Sequence, residues 1–258
     1  MLIYVYDGSL EGMFTALYEG LFAKEEIESI VSREKFTPSL FATVEIIETD
    51  LKKAGKLKHA LQRNLSKQAF KNLIYCYLSE TGMERKILSY IKTALAVKKK
   101  IDGNFVNETI NEITKTARKV AYEVHRFHGF LRFRRVYDDL YYAPIEPDYN
   151  ILALLIPHFK ARYANQKWFI HDRRRKLGAY YDGWECHLVT GVELNKELEA
   201  SLQGIKTEAE GEEELFYRKL WNEYFASIAI EERKNKKLQR QHMPARYWKN
   251  LVERVDQV

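Results

Sequence analysis

HRFHGFLRFRRVYDDLYYAPIEPDYNILALLIPHFKARYANQKWFIHDRRR, residues His125–Arg175, decides the reading of the fold. The stretch is divided by its own turn signals. A helical pattern stops at Gly129, and GFLRFRRV and LYYAPIE then read as strands around Tyr137-Asp138-Asp139. Pro147-Asp148 opens an amphipathic helix, DYNILALLIPHFKARYA, in which Pro157 predicts a kink. WFIHDRRRK and LGAYYDG form a second hairpin that turns near Lys176 to Gly178, and WECHLVT offers a further strand. Helix, strand, strand, helix, strand, strand predicts an α+β fold. It is mostly helical, with a central antiparallel sheet built from two hairpins and helices packed on it.

Upstream, IYVYDGS alternates apolar residues up to an Asp-Gly turn, and Asp7 or Ser9 can cap a helix buried through Met13, Phe14, Leu17, Tyr18 and Leu21. IESIVS and FATVEIIETD look strand-like, with Pro38 between them. From about Gly55 to His128, apolar residues recur at helical spacing. Gly82 offers a C-cap, and Asn107 can cap the long helix that ends at Gly129, with Ile110, Ile113, Ala117, Val120, Ala121 and Val124 as its stripe. Downstream, EEELFYRKLWNEYFASIAI is amphipathic through Leu215, Phe216, Leu220, Trp221, Tyr224, Phe225 and Ile228. The basic segment IEERKNKKLQRQH follows, then Met243-Pro244, then a terminal helix ARYWKNLVERV. The expected organisation is a main domain over 1–190 (helical over about 55–128, basic sheet over about 129–190), an acidic linker over 191–211, and C-terminal helices over 212–258 docked on the main domain.

A chain of 258 residues can bury a sizeable core. It contains no apolar run of about eighteen residues, so no membrane span is expected. MLIYVYDGS has neither a basic n-region nor a cleavage site, and Cys76 and Cys186 are too few for a disulfide framework or a zinc set, so the expected compartment is the cytoplasm. The net charge of +6 is uneven: Val192–Glu214 holds eight Glu against two Lys, and Glu231–Arg254 holds eight Lys/Arg against three Glu.

The densest cationic block is Lys115–Lys176, with fourteen Lys/Arg against six Asp/Glu. Guanidinium forks bind phosphates and aromatic faces stack on bases, so interleaving the two suits a nucleic-acid surface. The candidates are Arg126, Arg132, Arg134, Arg135, Arg162, Arg173, Arg174 and Arg175, joined by Lys236, Lys237 and Arg246 near the C-terminus. Strand alternation would set Arg132 and Arg134 side by side as a phosphate clamp; the alternative is an internal salt bridge to Asp138, Asp139 or Glu146.

His128, His158, His171 and Asp172 are the candidates for acid–base chemistry, against the alternative of separate hydrogen-bonding groups. Glu123, Glu146, Asp148 and Asp172 sit among the arginines, either as bases or as ion-pair partners. HExxH, CxxC, GxSxG, P-loop and GxGxxG patterns are absent, so no metal site and no cofactor is assigned.

YDGSLEGMFTALYE, EVHRFHGFLRF, YYAPIEPDYNIL, HFKARYANQKWFIHDRRRKLGAYYDG and LWNEYFASIAIEERKNKKLQRQHMPARYWKNL together resemble a bacterial family of unknown function assigned to DNA metabolism or DNA repair. The resemblance implies a DNA-linked role. It also implies a gene neighbour that is a radical-SAM protein, and relatives fused to a uracil-DNA glycosylase-like domain. It supplies no catalytic residue. The expectation is a DNA-binding accessory protein in repair or nucleic-acid metabolism. The alternatives are a DNA-processing enzyme of nuclease or base-removing type with a His/Asp site, and an interaction subunit of a radical-SAM protein.

Overall fold

The computed structural model describes residues 2–38, 40–97, 107–137, 139–193, 216, 219–220, 223 and 236–251. The chain divides into two compact units, Met1–Ala121 and Tyr122–Val258.

In the first unit, β1 (Leu2–Tyr6), α1 (Leu10–Phe22) and β2 (Ile27–Ser32) form a strand–helix–strand crossover, and β3 (Thr43–Ile46) pairs with the other edge of β1. All three strands are parallel. The crossover helix α1 accounts for the β1/β2 pair, because a parallel neighbour needs a connection that returns the chain to the same end of the sheet. β1 is buried at all five positions, as a central parallel strand covered on both faces should be. Ser9 caps α1 by accepting from Gly12 N at 2.9 Å. A Cβ at Gly12 would lie 2.1 Å from Asp7 Oδ1, which restricts that turn to glycine.

Asp50 caps α2 (Leu51–Asn64) by accepting from Lys52 N and Lys53 N at 2.8 and 3.1 Å. Ser66 caps α3 (Lys67–Leu78). α4 (Glu84–Val97) follows, and it buries Ile87, Leu88 and Ile91 where it packs on α1 and β2. Glu84 reaches back so that the Tyr6 hydroxyl donates to its Oε1 at 3.0 Å, with both groups buried. The long helix α5 (Glu108–Phe130) begins in this unit, buried through Ile110, Ile113, Ala117 and Val120, and ends in the second.

In the second unit, β4 (Arg134–Tyr137), β5 (Leu140–Ile145), α6 (Leu152–Arg162), β6 (Lys167–Asp172), β7 (Leu177–Tyr181) and β8 (Cys186–Thr190) build a five-stranded sheet in chain order. Later come α7 (Lys236–His242) and a 3-10 turn (Ala245–Asn250) in place of the expected terminal α-helix over the described residues.

The helix and strand content is mixed as expected, but a central antiparallel sheet of two hairpins is not what forms. The first sheet is parallel, and the second is mixed: β4/β5, β6/β7 and β7/β8 run antiparallel, while β5/β6 run parallel. Both expected hairpins exist. The helix between them, α6, is a crossover, so the strands it joins must align.

Two boundaries also move. α5 runs through Gly129, and the strand expected from Gly129 begins only at Arg134. α6 begins only at Leu152, behind the apolar N-cap Ile151, which has no side-chain acceptor, while the amides of Asp148 and Tyr149 donate to a carboxylate on α5. The expected acidic linker and the helix around Glu213–Ile230 fall mostly outside the described residues. Of that helix, Phe216 and Leu220 are exposed, and further along Tyr247 and Leu251 are buried.

Candidate nucleic-acid interface

The second unit is held by a buried carboxylate. Glu123, on α5, is 2% exposed and accepts four hydrogen bonds. Asp148 N donates to its Oε1 at 3.0 Å and Tyr149 N to its Oε2 at 2.8 Å. From the C-terminal segment, Arg246 Nη2 and the Tyr247 hydroxyl donate to Oε1 at 3.2 and 3.1 Å. Arg246 also pairs with the Asp148 carboxylate and lies 4.7 Å over the Tyr247 ring. Its fork is thus committed to carboxylates from two other segments.

A second buried carboxylate shapes the β6–β7 turn. Asp172 is fully buried, and its Oδ1 accepts from the amides of Arg174 and Arg175 at 3.1 and 3.2 Å. Its Oδ2 accepts from Arg175 Nη1 at 3.1 Å, and the same guanidinium donates to the carbonyls of Pro147 and Asp148 at 3.1 and 2.8 Å. Burial pushes the Asp172 carboxyl up from its ordinary value, with Arg175 opposing. Lys176 closes the turn at φ 55°, and Arg173 pairs with Glu146 at 3.6 Å. Of the three consecutive arginines, only Arg174 is exposed.

Gly178, in β7, has a different reason to be glycine: a Cβ there would lie 2.4 Å from the Phe169 ring. Phe169 in turn flanks His171, with ring centroids 5.9 Å apart.

The histidines do not converge. His128 and His158 stack with centroids 4.1 Å apart and planes 17° from parallel. They stand beside Phe159, which together with Phe133 and Trp168 forms an aromatic cluster. Burial lowers the His128 pKa, and repulsion from His158 and His125 lowers it further. Trp168 and His171 are three residues apart on β6, so their side chains leave opposite faces of the sheet. His171 is buried on its face, with Nδ1 2.9 Å from the Tyr142 hydroxyl. Among the described residues, no cluster of three or more His, Cys, Asp or Glu has metal-binding geometry.

Arg132 is not on a strand. Its Nη1 donates to the carbonyls of Gly129 and Leu131 at 2.6 and 3.3 Å, satisfying carbonyls at the end of α5. Arg134 is 4% exposed, on β4 opposite Tyr142, so the two arginines do not form an exposed clamp. Arg126 and Arg135 are half-buried, Lys237 is exposed on α7, and Lys236 opens that helix.

Lys160, Arg162 and Trp184 are exposed near the ends of α6 and β7. The Tyr181 hydroxyl shares its proton between the carbonyls of Gly183 and Ala164, at 2.8 and 3.1 Å, and so ties the β7–β8 turn to the chain leaving α6. Lys160 Nζ lies 5.5 Å from the Tyr181 ring centroid, and the Arg162 guanidinium lies 5.8 Å from that of Tyr163. In the turn itself, Asp182 Oδ1 accepts from the amides of Trp184 and Glu185 at 2.7 and 2.8 Å. Those backbone bonds hold its carboxyl below the ordinary range. The turn, with Gly183 at φ 104°, leaves the Trp184 side chain 83% exposed. An exposed indole on a braced turn, with an exposed ammonium at the Tyr181 ring that braces it, can stack a base while the cation meets phosphate.

The sequence reading singled out Arg162 but neither Lys160 nor Trp184. A signal was present in Asp182-Gly183-Trp184, where a large aromatic directly follows a turn glycine; the strand expected to include Trp184 begins only at Cys186. A family model described as a domain of unknown function (DUF4130) matches residues 81–253. Among curated proteins none matches the chain.

Proposed function

We propose that the chain, which belongs to the DUF4130 family, is a DNA-binding accessory protein in repair or nucleic-acid metabolism. The observation that carries the reading is Trp184, 83% exposed on a hydrogen-bonded turn that Tyr181 braces, with Lys160 at the Tyr181 ring. Leaving an indole in water forgoes roughly 1.5–3 kcal/mol of burial, and a stacking partner would recover it. The charge surplus of the surrounding block supports an anionic polymer as that partner. DNA in particular, and a radical-SAM protein as companion, rest on the sequence resemblance.

The enzyme alternative needs His128, His158, His171 and Asp172 around one reacting atom. His171 leaves the face of β6 opposite to Trp168, beside which the stacked pair stands, and the oxygens of Asp172 are taken by the turn. The observations therefore favour binding over catalysis.

Anisotropy with a labelled 30-nucleotide single strand and the matching duplex tests the reading across salt concentrations. Trp184→Ala is expected to weaken single-strand binding by about 1–3 kcal/mol, and Arg162→Ala to lower the salt slope by about 0.7. Wild-type affinity and slope in both variants would remove this surface from consideration.

A further inference from the structure

The segment from Leu51 to Leu78 holds seven Lys/Arg and one His and not a single Asp or Glu. It lies in the first unit, outside the block whose charge the sequence made conspicuous. Four of these groups, Lys52, Lys56, His59 and Arg63, are exposed and recur on α2 at steps of four, three and four residues. That spacing sets three cations and an imidazole, one group per helical turn, along a single face opposite the buried Ala54, Leu57 and Leu61.

An open groove of about 560 Å³ runs along the same face, lined by these four residues with Leu51, Gly55 and Ala60. Lys53, off this face, pairs with Glu19, while Lys52, Lys56 and Arg63 have no ion pair among the described residues. An ordinary solvated helix mixes signs at such spacing, because alternating charges support one another. This one repeats a single sign.

We propose that the α2 groove binds the phosphodiester backbone of a nucleic acid. From Lys52 to Arg63 the stripe covers twelve residues, or about 16 Å of helix over eleven rises of 1.5 Å. At one phosphate per roughly 3.4 Å of strand, that length meets about five phosphates. Gly55 and Ala60 leave room between the cations for a strand to approach the helix. A membrane surface would call for bulky apolar residues among the lysines, and on this face Leu51 alone has that character. Cations spaced along one helix face meet phosphates whatever the base, so the proposed contact is independent of sequence.

The site rests on the reading of the chain as a nucleic-acid binder, but it uses different residues from the Trp184 surface, so the two can fail separately. The test uses the full-length protein, a labelled random-sequence 30-base-pair duplex, and anisotropy between low and moderate salt. Lys56→Gln/Arg63→Gln is expected to lower the slope of log affinity against log salt by about 1.8. The charge-matched Lys58→Gln/Lys92→Gln, off the groove, should leave the slope within about 0.5 of wild type. Both pairs are exposed, and unchanged thermal melts would show that the fold is intact; if the first pair melts early, Lys52→Gln alone replaces it, with an expected drop of about 0.9.

If both pairs lower the slope equally, the groove is an ordinary solvated face and the proposal is overturned. It is also overturned if the groove variants keep the duplex slope but lose binding to vesicles containing phosphatidylserine. If the wild-type slope survives the groove variants but falls in Arg162→Ala, this inference alone fails. If wild-type protein ignores DNA altogether, both readings fail.

Discussion

Replacing Glu123 with Ala should unfasten the second unit. The carboxylate is 2% exposed, and its removal strands two backbone amides, the Tyr247 hydroxyl and one face of the Arg246 guanidinium. Breaking a buried charge pair by removing one partner costs about 3–5 kcal/mol. The Arg246 share must be discounted, because its side chain is 44% exposed and keeps Asp148 as a partner. The larger part comes from the two amides, each losing a bond to a charged acceptor worth about 1.5–3 kcal/mol. An overall loss of about 3–5 kcal/mol follows. Arg246→Ala alone should cost only about 1 kcal/mol. The double variant should fall short of the sum by about 1 kcal/mol, since the two residues share a contact.

Urea unfolding followed by tryptophan fluorescence is suited to the measurement. All four tryptophans, Trp168, Trp184, Trp221 and Trp248, lie within Tyr122–Val258, so their signal reports the second unit. A loss below about 1 kcal/mol for Glu123→Ala would refute the view that this carboxylate clamps α5, the β5–α6 connection and the C-terminal segment together.

Gly178→Ala should destabilise the second unit by about 1–3 kcal/mol through overpacking, because its methyl would meet the Phe169 ring; an unchanged urea midpoint would contradict the close approach. Asp172→Asn keeps an acceptor for the turn amides but removes the charge facing Arg175, with an expected loss of about 3–5 kcal/mol in the same assay. His128, held by burial below its ordinary value of 6.5, favours the neutral form in the fold. The unfolded chain therefore takes up a proton first, and stability present above pH 6.5 is lost as pH falls through that value. His128→Phe keeps a ring against His158 and should flatten the decline in melting temperature between about pH 7.5 and 5.5; a decline as steep as in wild type would assign it to other groups.

Much of the secondary structure was legible because hydrophobic periodicity is local. The long helix through Ile110, Ile113, Ala117 and Val120, the β4–β5 and β6–β7 hairpins and the β8 strand all follow from spacing and turn residues. Strand direction was not, because it depends on which strands become neighbours after a helix has intervened. Residues 2–32 spell strand, helix, strand, the order of a parallel crossover.

The arginines show the same limit. Reading Arg132 and Arg134 as alternating strand positions required the helix to stop at Gly129; it continues, and Arg132 turns back onto its final carbonyls. Glu123 and Arg246 are 123 residues apart, a partnership that no local pattern can announce. The exposed edge around Trp184 and the stripe on α2 were visible as residue types. Deciding that they stay in water needed the fold.

The match to the family begins at residue 81, yet the first compact unit runs to Ala121. The similarity boundary therefore falls inside a cooperative core. A recombinant fragment starting there would carry α4 without α1 and β2, and Ile87, Leu88 and Ile91 would lose the surfaces that bury them. At roughly 1.5–3 kcal/mol for each stranded side chain, such a fragment would be prone to self-association through that bare stripe. Inheritance and autonomy are thus expected to have different boundaries in this protein, and expression trials should begin at the first strand.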